Sequence, residues 1–575
     1  MVVVAAIARI AATYRVFSQT VDEPVHVAAG QQWLHEGRYD LDIEHPPLAR
    51  IFFALTFGGA DVEGGRVERG NQLFWLDDHY LTNLSRARAG NLPFYLLGMY
   101  VVFAWTRRIA GLAAAVISAA LFAALPPMLA HAGLATTDMA AASTTAFALY
   151  ALQLWLDAPS WRRAVVLGVA IGIGLLSKFS FLLLFPLGAS ILIAFQFRAI
   201  RWRHCAAIVP IALLVVMAMY RFERGSLLDA RAATSVVGTA EQRAAQYAQT
   251  PGYEWIRPDI LIAYYDYANA AARAGVVGVD FVDWAKAAGY PSPLAGRSGR
   301  DTMIGAPKPE PKPRSEPFRA LWHRAVVVQK YPGIAFITGA DFVRQHSAMG
   351  HGEAWLFGEN RPNGFWYYFP VVVFFKTPLP FLVFAAAGFL FLTRRRALGI
   401  ILIPLAMLAI SMTSRINIGV RHVLPIYPFL TIAAACGVVL LWQHSRALVL
   451  ILGAWYFIGT AVAHPDYLAY FNELAGRHPE RIAVDSNLDW GQDLLRLRRA
   501  VGGQPVHLAY FGSADWQRHL PNASPIPARC TTGWVAVSEM MYLRQRDTEL
   551  RWLTRYEPVA RAGKSIRLYR IAACP

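Results

Sequence analysis

Apolar and polar positions alternate along this chain in long blocks rather than short ones. Runs of membrane length, about 18–22 residues, fall at roughly 1–18, 89–106, 109–127, 139–156, 163–177, 180–197, 205–221, 378–393, 397–413, 424–442 and 447–463, separated by short polar connections. The pattern predicts a polytopic α-helical membrane protein of about eleven spans. Two interruptions are too long to be turns, a first loop over 19–88 and a large loop over 222–377. Within the first loop, 22–36 and 47–57 carry Val, Ala, Trp and Leu at helical spacing, which predicts helices lying along the interface. The large loop contains Lys308-Pro309-Glu310-Pro311-Lys312-Pro313, an extended connector by its prolines. Phe365-Trp366-Tyr367-Tyr368-Phe369 is an aromatic belt suited to headgroup depth. No basic n-region or small-residue cleavage site accompanies the first apolar stretch, so no cleavable leader is expected.

From about 464 the pattern changes. Strand-like pieces at 506–511, 533–537 and 565–569 alternate with helical pieces at 491–501 and 539–553. The chain is therefore divided into a transmembrane domain, 1–463, and a small α/β domain, 464–575.

Composition supports this division. Of 575 residues, 55% are hydrophobic and 16% charged, below the share of roughly a quarter usual in soluble domains. The net charge of +17 could suggest nucleic acid. Arg107-Arg108, Arg162-Arg163, Arg198/Arg201/Arg203, Arg394-Arg395-Arg396 and Arg446 instead lie in alternate short connections, as a positive-inside bias requires. A bilayer is the expected partner and nucleic acid is not. Putting those arginines in the cytoplasm puts the first loop, the 128–138 turn, Lys178, the large loop and the C-terminal domain outside. Two of the four cysteines, Cys530 and Cys574, lie in that external domain, where an isolated pair is expected to be oxidised.

Candidate chemistry gathers on the same face. Asp22-Glu23-Pro24 opens the first loop. Its bland reading is a helix start, since Thr20 and Glu23 have capping-box spacing and Pro24 suits the first turn. His45 and Arg50 lie in Asp42-Ile43-Glu44-His45-Pro46-Pro47-Leu48-Ala49-Arg50. His131 and Asp138 flank a turn, Lys178 interrupts an apolar run, and Lys376, Arg415, Arg421 and His422 lie near later span ends. Ionisable groups at membrane depth are costly and mark function. Cations can hold a phosphate, and a carboxylate can take a hydroxyl proton, which together suit attack on a sugar carbon that expels a lipid phosphate. His346, His351 and Glu353 lack a recognised metal-ligand spacing. Asp485, Asp489 and Asp493, four residues apart, also suit a helix start.

These residues resemble a family. Asp22-Glu23-Pro24, Glu44-His45-Pro46-Pro47-Leu48-Ala49-Arg50, His131 through Asp138, Ser177-Lys178-Phe179, Lys376-Thr377-Pro378, Ser414 through Pro425 and, most specifically, Asp485-Ser486-Asn487-Leu488-Asp489-Trp490-Gly491-Gln492-Asp493-Leu494 are similar to the bacterial branch of the protein O-mannosyltransferase type (glycosyltransferase family 39) with the GT-C fold. The resemblance covers nearly the whole chain. It implies a hexosyl- or pentosyltransferase of the bacterial inner membrane, with its site and C-terminus extracytoplasmic. The enzyme would move a sugar, with inversion, from a polyprenyl-phosphate carrier to a hydroxyl on a protein, glycan or lipid. By that resemblance Asp22 and Glu23 are the catalytic acids, Asp22 being the base. His45, Arg50, Asp138, Lys178, Lys376, Arg415, Arg421 and His422 are expected to bind the donor. Asp485, Asn487, Asp489 and Trp490 are expected to serve acceptor selection or structure. No cofactor is required by this reading, a divalent cation being left open. His45 stands where aminoarabinose transferases of this type carry lysine, a departure that argues against that sugar. The alternative of another class is a flippase or transporter of lipid-linked sugars, against which stands the lack of matching broken repeats.

Overall fold

The computed structural model describes residues 1–226, 330–395 and 397–574. The proline-rich connector expected at 308–313, most of the large loop and Arg396 lie outside the described residues. The chain divides into two compact units, one formed by 1–219 with 343–575 and the other by 220–342. In the second unit, the described part pairs strand Arg224–Ser226 antiparallel with Lys330–Pro332.

The first unit is mostly helical. Helices occupy all eleven stretches expected to span, including Val2–Thr13, Leu92–Ala124, Asp138–Asp157, Trp161–Leu175, Phe181–Gln196, Cys205–Met219, Leu379–Arg394, Leu398–Ser411, Tyr427–His444 and Arg446–Val462. Two expected spans share Leu92–Ala124, where Gly111 breaks the helix with φ +85°. By length and apolarity alone, five described helices can cross a membrane, or six if the sharply bent pair Tyr368–Lys376 and Leu379–Arg394 is counted as one. Val2–Thr13, Leu398–Ser411 and Arg446–Val462 are apolar but shorter. The protein is a multi-pass membrane protein, and its lipid-facing surface carries exposed large side chains such as Leu183, Leu214, Leu390 and Ile451.

The first loop folds into four helices rather than two: Glu23–His35, Leu48–Ala54, Arg66–Phe74 and Tyr80–Ala89. Two glycines set their packing. A methyl group on Gly30 would stand 2.1 Å from the Arg50 carbonyl oxygen, and one on Gly70 2.1 Å from that of Pro24. Backbones can approach this closely only where there is no Cβ. Glu23–His35 is therefore held against Leu48–Ala54 on one side and Arg66–Phe74 on the other.

Beyond 464 the expected strands form a five-stranded sheet in the order Ala523–Pro525, Val506–Ala509, Gly533–Ser538, Ile566–Ile571, Ala560–Ala562. Val506–Ala509 pairs parallel with both neighbours, and the other pairings are antiparallel. The two edge strands were not foreseen because each is only three residues long, too short for an alternation to show. The helical piece expected at 539–553 is two elements, Glu539–Gln545 and a 3-10 turn at Arg551–Arg555. Cys530 and Cys574 are joined, with a Cα–Cα distance of 5.8 Å. Cys205 and Cys436 are free.

Candidate active site

The structure separates the two acids of the opening pair. Glu23 is fully buried and fully engaged. Its oxygens receive Arg88 Nε and Nη2 at 2.8 Å each, the Thr20 amide at 2.8 Å and the Ala135 amide at 2.9 Å. The Thr20 bond is one half of the expected capping box. Arg88 is buried as completely and donates onward to the carbonyls of Tyr14, Phe17 and Ser18. Glu23 thus fixes the turn leading into the helix. Glu23, expected as the orienting or binding neighbour of the base, therefore positions rather than reacts, because a carboxylate whose lone pairs are all taken has none for a reacting hydroxyl.

Asp22 is half-buried and faces the other way. Its Oδ2 accepts from Arg421 Nη1 at 2.7 Å. Burial pushes its carboxyl up, but the adjacent guanidinium outweighs that and holds it below its usual range, so it is ionised at neutral pH. Arg421 also lies 3.9 Å from Asp138, and Lys178 Nζ donates to Asp138 at 2.6 Å. One cluster therefore joins Asp22, Arg421, Asp138 and Lys178. Several buried polar atoms around it have no hydrogen-bond partner among the described residues: Arg421 Nε, Asp138 Oδ2, His131 Nδ1 and His422 Nε2. Buried polar groups are nearly always paired, and unpaired ones cost about 1–3 kcal/mol each. Their concentration here marks a place built to receive a polar ligand.

The 485–494 segment is the frame of this cluster. The Arg421 guanidinium lies over the Trp490 ring, 4.3 Å from its centre, and Trp490 is fully buried. The Val21 amide donates to the Trp490 carbonyl at 3.1 Å, and the Ser18 amide to that of Gln492 at 2.9 Å. The same ten residues thus carry both the backbone leading into Asp22 and the aromatic platform under its partner. Asn487 receives the Val420 amide and donates to the Tyr368 hydroxyl, which fixes the start of the Arg421 segment. Asp489 accepts from the Met540 amide at 2.8 Å, tying the frame to the sheet. Asp485, with φ +55°, is buried, and burial pushes it up to about 7 against the pull of Arg421. Asp485, Asp489 and Asp493 do not converge. Asp493 accepts from Lys564 and Ser565 instead.

Other expected binding residues fall elsewhere. Lys376, expected to hold the donor, donates to the carbonyls of Leu468 and Asn487 at 2.7 and 2.6 Å, with the Phe471 ring 4.4 Å from its ammonium. It is buried and spent on clamping the frame. Sequence could not show this, because its acceptors lie 92 and 111 residues away. Arg50 is buried and bound to Asp42 and to the Pro46 carbonyl, stiffening its own turn. Arg415 is exposed in the connection before Arg421. His422 is the exception: it stays beside the cluster, with Lys178, Arg421 and Asp138 as its charged neighbours, and packs near Phe369. Glu353 pairs with Arg544.

Three residues were missed. Arg88 is one of two arginines close together, and nothing local says that Arg86 is exposed and Arg88 buried. His26 follows Asp22 by four residues on the same helix, a spacing that could have been used. Asp42 lies in the proline-stiffened run. His26, Asp42 and His45 come together beside Asp22, the His26 and His45 rings 4.8 Å apart. Burial, then His45, push His26 down to about 3, so it is neutral.

The described fold is mostly helical and apolar, and the cluster sets two carboxylates, Asp22 and Asp138, against two cations, Arg421 and Lys178. Residues 83–220 match the model of the dolichyl-phosphate-mannose-protein mannosyltransferase family. The chain is a glycosyltransferase, similar over that segment to this family. Among solved structures, it is similar to the archaeal oligosaccharyltransferase AglB from Archaeoglobus fulgidus in complex with an inhibitory peptide and a dolichol-phosphate, at 13% identity over 99% of this chain and 74% of that one, with TM-score 0.42. It is also similar to ArnT from Cupriavidus metallidurans bound to undecaprenyl phosphate, at 12% identity over 99% of this chain and 97% of that one, with TM-score 0.31. No curated protein sequence matches it.

Proposed function

We propose that the protein transfers a sugar, with inversion, from a polyprenyl-phosphate carrier to an acceptor hydroxyl on the extracytoplasmic face of the membrane. The observation that carries this reading is the Asp22–Arg421 pair, 2.7 Å apart, with Lys178 and Asp138 joined to it. Asp22 takes the acceptor proton as the hydroxyl oxygen attacks the anomeric carbon. The bond from that carbon to the phosphate oxygen breaks, and its electron pair leaves with the carrier phosphate. Arg421, whose Nε has no hydrogen-bond partner among the described residues, and Lys178 stabilise the charge that develops there. A base held this acidic removes the proton late, as the new bond forms, rather than in a prior step. Attack from the face opposite the leaving phosphate gives inversion.

The cluster is electrically balanced, two carboxylates against two cations, so phosphate binding must draw Arg421 partly from Asp22. That exchange leaves the carboxylate free for the hydroxyl only when the donor is present. The arginines at alternate connections support the sidedness. The acceptor is a hydroxyl on a protein, glycan or lipid. Two measurements test the reading. Purified protein in liposomes, given a polyprenyl-phosphate-linked sugar and an acceptor, should release carrier phosphate and give a product of inverted anomeric configuration. Retained configuration would refute the single-displacement step, and movement of intact lipid-linked sugar without cleavage would support the flippase alternative instead.

A further inference from the structure

Beside the cluster, helix Glu23–His35 and the turn before Leu48 bring two imidazoles and a carboxylate together. One potential ligand atom from each of His26, Asp42 and His45 lies within 4.8 Å of the others, and this is the one such group among the described residues. His26 and Asp42 are buried at 2% and 5% exposure, while the His45 side chain is 20% exposed. Among the described residues Nδ1 of His26 and Nδ1 of His45 form no hydrogen bond, His45 Nδ1 lying 3.5 Å from Asp42 Oδ2. A buried imidazole nitrogen without a hydrogen bond, beside a second one and a carboxylate, suits a ligand that takes lone pairs from all three.

That requirement selects a cation. An anion would meet the Asp42 carboxylate at close range. Calcium and magnesium prefer shells of oxygen donors, whereas two imidazoles and one carboxylate suit a first-row transition ion, zinc above all. The surroundings are those of a held ligand set. Arg50 donates to Asp42 Oδ2 at 3.0 Å and the Glu44 amide to Oδ1 at 3.0 Å, which fixes the carboxylate plane while leaving it further lone pairs. His45 follows Asp42 by three residues in a turn whose Pro46 and Pro47 restrict its shape. His26 is carried one helical turn beyond Asp22, and its amide donates to the Asp22 carbonyl at 3.1 Å.

We propose that His26, Asp42 and His45 bind a first-row divalent cation, zinc being the best fit, which pins the 42–45 turn to the helix that starts at Asp22. The ion acts as a positioning element, fixing the helix whose first turn presents the base. It is independent of which sugar or acceptor the enzyme uses.

The test is metal content, not activity. Full-length protein in detergent, incubated with Zn²⁺ and passed through a desalting column, should retain about one zinc per chain by elemental analysis. His26→Gln and His45→Gln should each lower zinc affinity by a factor on the order of 100 or more, as loss of one of three protein ligands requires. Should those variants misfold, Co²⁺ loaded into the wild-type protein gives a second reading. The expected result is the visible absorption of cobalt with nitrogen and oxygen ligands, and its X-ray absorption should show two imidazoles. Zinc content near zero in the wild type, or equal retention in a well-folded His26→Gln/His45→Gln double variant, would overturn the proposal.

Discussion

Replacing Arg88 with methionine removes a cation whose guanidinium joins four parts of the site. Glu23 would keep the Thr20 and Ala135 amides but lose its charge partner, and the Tyr14, Phe17 and Ser18 carbonyls would lose their donor. Both side chains are fully buried. Charge centres about 4 Å apart attract by about 4 kcal/mol at an effective dielectric of 20. Stranding one partner of a buried pair costs about 3–5 kcal/mol, so the two figures agree. We expect Arg88→Met and Glu23→Gln each to destabilise the protein by that amount. The double variant should cost less than the sum, with a coupling on the order of 2 kcal/mol. Denaturant unfolding in detergent micelles, followed by tryptophan fluorescence, measures all four proteins of the cycle. Because Ser18 and Glu23 bracket the approach to Asp22, folded Arg88→Met should also lose roughly a hundredfold in kcat, the penalty of about 1 Å of misplacement. Single variants within about 1 kcal/mol of wild type, with additive effects, would refute the reasoning.

Other consequences are more local. Asp485, pushed up to about 7, is neutral below that pH and charged above it, where it competes with the donor phosphate for Arg421. The kcat/KM of the wild type should therefore fall by about five- to tenfold as pH rises from 6 to 8, roughly 1–1.4 kcal/mol, and Asp485→Asn should flatten the profile. For stability the sign is the same. A carboxyl raised in the folded state favours folding less as pH climbs from its unfolded value toward 7, so Asp485→Asn should resist denaturant better than wild type at pH 8. Trp490→Phe keeps an aromatic core but weakens the platform under Arg421. Donor KM should rise a few-fold, about 0.5–1 kcal/mol, in steady-state assays. Reduction of the Cys530–Cys574 bond opens a loop spanning 44 residues, worth about 4 kcal/mol on the chain-entropy account. Protease resistance of the C-terminal sheet should drop on reduction.

Much of this architecture was legible in the chain. Apolar block length located the helices, because each must bury an apolar face or turn it to lipid, and Asp22 stood out as an acid beside a span. What sequence could not show was which acids and bases share space. Arg421 meets Asp22 across 399 residues, and Lys376 is diverted to backbone carbonyls about a hundred residues away. Local pattern carries no information on such pairings. The two acids of Asp22-Glu23 look alike in sequence, but at a helix start adjacent side chains point about 100° apart, and only packing decides which faces the cluster. The 485–494 stretch was readable as specific without being readable as a frame, since its role lies in backbone bonds to Ser18 and Val21.

The central claim is that the Asp22 carboxylate is the base. Asp22→Asn preserves size and can still accept from Arg421, so the fold and donor binding should survive. With a saturating lipid-linked sugar and acceptor, carrier-phosphate release should fall by about 10²–10⁴-fold, the range usual for loss of a general base, while donor affinity holds or rises, because the phosphate no longer competes with a charged carboxylate for Arg421. Release at the wild-type rate by folded Asp22→Asn protein would contradict the account.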